Sequence, residues 1–105
     1  MIKHTKEING VEFGIEQIPV PRLLSICTIH AKVNSGDLSI KAEQELTNEI
    51  FKHIKYKVKD QWYPVLTNGL PNVDAFDTKT AFVILNWFNL EVLGPIFLPQ
   101  EDSQS

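Results

Sequence analysis

The hydrophobic pattern along the chain changes period several times, and each period predicts an element. Near the N-terminus, Val11, Phe13 and Ile15 alternate with Glu12, Gly14 and Glu16, giving a strand with one dry and one wet face. Asn9-Gly10 precedes it, the dipeptide best suited to a two-residue hairpin turn because both positions tolerate positive φ. Residues 2–18 therefore read as a β-hairpin. Ile18-Pro19-Val20-Pro21 stops the ladder, since neither proline donates a backbone hydrogen bond.

Residues 22–34 fit two patterns. As a strand, Cys27, Ile29, Ala31 and Val33 oppose Thr28, His30, Lys32 and Asn34, with β-branched residues in support. As a helix, Pro21 suits the first turn, and Ser25, Thr28 and Lys32 form a polar stripe opposite Leu23, Leu24, Cys27 and Ala31. Propensity leans toward the strand. Asn34-Ser35-Gly36-Asp37 then reads as a turn.

From about Ser39 to Lys59, Ala42, Leu46, Ile50, Ile54 and Val58 recur every four residues, predicting one long amphipathic helix capped by Asp37 or Ser39. Glu43, Glu45 and Glu49 lie in its N-terminal half and Lys52, Lys55, Lys57 and Lys59 toward its C-terminus, as the helix dipole favours. Gln61–Thr67 reads as an edge strand or extended loop, with Pro64 barring a central position. Asn68–Asn72 is a loop. Asp74 or Asp77 would cap a second, more apolar helix over 78–93, terminated by Gly94-Pro95; a strand over Ala81–Leu85 competes.

The predicted fold is α+β: a small N-terminal antiparallel sheet, the hairpin plus a third strand if residues 22–34 are extended, packed on two helices. Residues 1–99 form one domain and 100–105 a polar tail. The length of 105 residues supports this, since a chain of that size buries roughly 60–70 % of its unfolded surface.

Composition narrows the function more than it names it. The chain is 43 % hydrophobic and 22 % charged, which excludes a disordered acidic tail or a low-complexity linker. The polar start contains no signal-peptide pattern, and residues 81–98 are interrupted by Asn86, Asn89, Glu91 and Gly94-Pro95, short of a membrane span. A cytoplasmic protein away from membranes is expected, consistent with a single cysteine. The net charge of −3 disfavours a nucleic-acid partner.

The chain carries no phosphate-binding, nucleophile-elbow, CxxC or HExxH motif. Cys27 and His30 would neighbour each other on a helix but point apart on a strand. Buried hydrophobe is the simpler role for Cys27 among Ile26 and Ile29. His4, His30 and His53 are scattered, and no metal site or cofactor is expected. Lys52, Lys55 and Lys59 would share a helix face, with Tyr56, Trp62 and Tyr63 nearby to stack bases; a solvated helix end is the competing reading.

Ile8-Asn9-Gly10-Val11-Glu12-Phe13, followed by Ile18-Pro19 and Arg22-Leu23-Leu24, resembles the start of small tail-assembly chaperones of tailed bacteriophages. The later order of elements loosely resembles baseplate-hub assembly chaperones. The resemblance implies a hairpin followed by a helix, and a protein without catalysis that binds another structural protein during assembly. It carries no site residues.

The expected function is accordingly a non-enzymatic protein-binding module, with a small acidic immunity or inhibitor protein as the alternative. The partner is another protein or a second copy. Trp62, Tyr63, Trp87, Phe88 and Phe97 are the candidate contacts. Residues 81–98 hold more apolar side chains than one helix of a small domain can hide. Either Ile96–Leu98 folds back as a strand, or an apolar patch around Trp87, Phe88 and Phe97 stays exposed.

Overall fold

The computed structural model describes residues 1–36 and 40–97. Strands β1 (Ile2–Ile8) and β2 (Val11–Glu16) form the predicted hairpin, followed by helices α1 (Val20–Asn34) and α2 (Ile40–Phe51). Strands β3 (Ile54–Val58) and β4 (Gln61–Pro64) make a second hairpin. A two-stranded ribbon, β5 (Leu66–Thr67) and β6 (Leu70–Pro71), leads to α3 (Thr78–Phe88). A π-helical turn (Asn89–Leu93) and α4 (Gly94–Phe97) continue from α3. The main sheet is antiparallel in the order β1-β2-β3-β4. The α+β class holds, with four strands in that sheet and more helices than expected. Asp37, Ser39, the side chain of Phe97 and the polar tail lie outside the described residues.

Three expectations are corrected. Residues 20–34 are helical, because burial follows the helical period: Ile26 and Ile29 are buried, with Leu23, Cys27, His30 and Val33 half-buried beside them. Ala31, which the strand pattern placed inside, is exposed. Thr28 Oγ1 donates to the Leu24 carbonyl, so its hydroxyl is satisfied within the helix. Tertiary packing overrides the β-branched propensity.

The second helix ends at Phe51 rather than Lys59. Ile54, Tyr56 and Val58 belong to a strand whose alternate residues Lys55 and Lys57 face the opposite side. A spacing of four is also two periods of a strand, so Ile54 and Val58 satisfy both patterns. Lys52, Lys55 and Lys59 therefore share no helix face. They sit in a turn, on β3 and in a second turn, with Lys52 paired to Glu49 and Lys55 to Glu16.

Gly94-Pro95 does not end the third helix. Proline at a helix interior lacks an N–H and crowds the carbonyl four residues back. The helix widens just before it: Gly94 N–H donates to the Asn89 carbonyl, five residues back, closing the π turn. Ile96 consequently lies on a helical turn rather than on a returning strand.

The core lies between the sheet and the helices. Phe13 and Ile15 from β2 and Ile54 from β3 meet Ile26, Ile50, Ile84 and Phe88, all at most 2 % exposed. Phe76 stands edge-on to Phe51, with ring centroids 5.1 Å apart. Among the described residues, no helix is long and apolar enough to cross a membrane.

Candidate protein-binding face

Helix α3 is fixed at its start by two contacts. Asp77, extended, accepts a hydrogen bond from Thr80 N–H at 2.8 Å, which is the predicted cap. Those hydrogen bonds with Thr80 hold the Asp77 carboxyl below its usual range. Asp74 is exposed and caps nothing among the described residues. Asn9, at φ 53° in the first hairpin turn, donates from Nδ2 to the buried Thr80 Oγ1 at 2.8 Å. The helix is thus pinned with Thr80 toward the hairpin, which sets its rotation.

That rotation decides what faces water. Thr80, Ile84, Trp87 and Phe88 turn inward. Lys79, Phe82, Val83, Asn86, Asn89 and Leu90 turn outward, at spacings of three and four that form one seam. Phe82 and Leu90 are 68 % and 67 % exposed, and Val83 is 37 % exposed. No charged residue lies between Lys79 and Glu91. Monomers seldom expose such contiguous apolar surface without using it.

Trp62, Tyr63, Trp87 and Phe88, named from sequence, are not brought together. Trp87 and Phe88 are core residues at 7 % and 0 % exposure, so neither can touch a partner on this folded surface. The apolar surplus of this segment is real, but its outward share falls to Phe82, Val83 and Leu90. Lys79, Asn86 and Asn89 lie on the same side and give a partial polar signal for this face in the sequence, but the contact of Thr80 with Asn9 decides the rotation.

Trp62 and Tyr63 lie elsewhere, on edge strand β4. Trp62 is half-buried on the sheet face away from the helices, and the Lys57 ammonium sits 5.7 Å from its ring centroid. Tyr63 is exposed on the other side of the strand, its ring 5.9 Å from that of Tyr56. Tyr56 in turn donates its hydroxyl to the Asn72 carbonyl.

Two polar groupings lie away from this face. His53 is buried where α2 meets the sheet, with Nδ1 3.1 Å from Glu16 and Nε2 3.7 Å from Glu49. Arg22 and Lys52 also approach Glu49. Burial would raise the Glu49 carboxyl, but the Lys52 hydrogen bond and the charges of Lys52, Arg22 and His53 prevail and hold it below its usual range. The carboxylates lie at opposite ring nitrogens, so this cluster clamps α1 and α2 to β2 rather than converging on a ligand. The helical form of residues 20–34 places Cys27 and His30 one turn apart, but burial pushes the Cys27 thiol up, away from the reactive thiolate. A cleft of about 490 Å3 between α2 and the β5–β6 ribbon has Lys52 as its one titratable lining residue. Among the described residues, no group of three acidic, histidine or cysteine side chains could hold a metal ion.

No protein-family model matches this chain, and no curated protein or solved structure is detectably similar to it.

Proposed function

We propose that this chain is a non-enzymatic protein-binding module acting in the cytoplasm, and that it binds through the outward face of α3. One observation carries the reading: Phe82 and Leu90 each stand about two-thirds exposed on a helix face without charge between Lys79 and Glu91. Aromatic side chains with few charges around them are the composition of interface centres. With Trp87 and Phe88 buried, this face is made by Phe82, Val83 and Leu90 instead.

Assembly of a larger structure, in the manner of a phage tail-assembly chaperone, is the version favoured by the opening motif. The order implied by that resemblance, a hairpin followed by a helix, is the order of β1, β2 and α1. An acidic inhibitor that docks on a basic target fits less well, because the exposed apolar face carries no carboxylate between Lys79 and Glu91.

The test is a Phe82→Glu, Leu90→Glu variant compared with wild type in co-purification from the native cell. The fold should be retained, since both side chains are exposed, and the complex lost. A variant that keeps the wild-type complex would show that the face is not the binding surface.

A further inference from the structure

The two edges of the main sheet differ. Edge strand β4 is four residues long, contains Pro64, and has the Pro64 carbonyl already accepting from Asn72 Nδ2 at 2.9 Å. Strand β1, at the other edge, is seven residues long and pairs only with β2. No backbone hydrogen bond among the described residues reaches its outer edge, and Lys3, Thr5, Lys6 and Glu7 are exposed. A free row of N–H and C=O groups takes another extended chain as a further strand.

Helix α3 and its π turn run along this strand in the opposite direction. Thr80 is tied to Asn9 at one end, and Glu91 lies 3.4 Å from His4 at the other. From residue 80 to 91 a helix rises about 16 Å, and from residue 4 to 9 a strand advances by about the same, so the helix follows the strand. Ala81, Leu85 and Val92 pack on the core from one flank of the helix. Val83, Asn86 and Leu90 lie on the other flank. Because β1 is the last strand of the sheet, that flank stands over the open edge.

We infer that the partner docks by strand addition: an extended segment of it pairs with β1 and lays alternate side chains against Val83 and Leu90. The inference rests on α3 carrying the binding face and adds the form and charge of what binds. Lys6 is in register with the buried Phe13, so it points to the helix side of the sheet. Lys79 precedes Thr80 at the same end, and Lys3 lies toward the other. None of these lysines forms an ion pair among the described residues. Glu91 is matched by His4, and Glu7, one residue on from Lys6, points to the opposite face. The edge therefore fits a segment whose apolar residues are flanked by Asp or Glu. Lysines on an open edge also disfavour pairing with the edge of a second copy.

The probe is a capped peptide, Glu-Thr-Val-Thr-Val-Thr-Glu, which reads the same in both directions and so tests parallel and antiparallel addition together. It is titrated to about 2 mM into the isotope-labelled whole chain and followed by amide NMR. It should shift the amides of residues 3–7 and of Val83, with Kd on the order of 0.1–1 mM for so short a segment. The counterpart with lysine in place of glutamate should bind at least about tenfold more weakly, and so should the glutamate peptide to Lys6→Glu, Lys79→Glu. Both lysines are exposed, so that variant keeps its fold. Amides 3–7 unmoved by the glutamate peptide, or moved equally by both peptides, overturn the strand addition. So does a shift of amides 3–7 with concentration of the chain alone, which would place a second copy on the edge. In co-purification from the native cell, a complex lost in Phe82→Glu, Leu90→Glu but kept in Lys6→Glu, Lys79→Glu leaves α3 as the binding face and removes only the added strand.

Discussion

The indole of Trp62 on β4 occupies the space over Gly14 on β2, two strands away. A Cβ built on Gly14 would lie 2.8 Å from Trp62 Cζ3 and 2.9 Å from Ile2 Cγ2. The ring crosses β3 between Lys55 and Lys57, whose ammonium groups turn to Glu16 and Glu12. Glycine in mid-strand weakens a sheet unless something covers it, and here the tryptophan is that cover. Gly14→Ala should destabilise the fold by about 1–3 kcal/mol through overpacking, and should shift Trp62 toward water. Chemical denaturation with tryptophan fluorescence checks both. A Gly14→Ala protein of unchanged stability and emission would mean that the indole moves aside freely.

Removing the α3 cap should loosen the element that carries the proposed binding face. Asp77→Ala leaves the Thr80 N–H without its acceptor and should lower stability, whereas Asp77→Asn or Asp77→Ser should keep most of it. Hydrogen exchange at residues 78–81 is the local readout. Equal exchange in Asp77→Ala and wild type would contradict the cap's role.

Acid should weaken the fold through Asp77 and Glu49. Both carboxyls are held below their usual range in the folded chain. The unfolded chain therefore takes up protons first. The stabilisation is present above the unfolded carboxylate range and is lost as pH falls through the lower folded values. Denaturant midpoints measured from about pH 7 to 3 should decline, and Glu49→Gln should flatten part of that decline. An unchanged slope in Glu49→Gln would remove this carboxylate from the account.

The turn between β3 and β4 invites stabilisation. Lys59 and Asp60 both adopt positive φ, at 50° and 67°, where Asn-Gly occupies the corresponding places in the first hairpin. Replacing Lys59-Asp60 with Asn-Gly should raise stability by roughly 0.5–1 kcal/mol, because glycine takes this conformation without a Cβ penalty. The Lys57–Asp60 ion pair at 3.8 Å would be lost, but Asp60 is almost fully exposed and such pairs contribute little. A lower melting temperature in the variant would show that the pair matters more than the backbone.

Cys27 should react slowly with thiol reagents at neutral pH. It is half-buried on α1, and desolvation raises its thiol. Cys27→Ser should retain binding by the α3 face. Labelling as fast in the native chain as in denaturant would reopen a role for the thiol beside His30.

The sequence alone determined those features that rest on local chemistry. Asn9-Gly10 set the first hairpin, Pro64 kept β4 at an edge, and Asp77 capped α3, because each depends on backbone conformation within a few residues. The apolar surplus of residues 81–93 was legible as well, but not that Trp87 and Phe88 would be its buried share. Where two periods coincide, only tertiary structure decided. Ile54 and Val58 continue a helix and also alternate along a strand, and pairing of Ile54 with Ile15 selected the strand. Residues 22–34 carried strand formers, yet burying Ile26 against the sheet required the helical period. The exposed face of α3 was also decided by tertiary structure. Which side of α3 meets water depends on Thr80 being held by Asn9, 71 positions earlier in the chain, and no local pattern contains a contact of that range. That one rotation buried Phe88 and exposed Phe82.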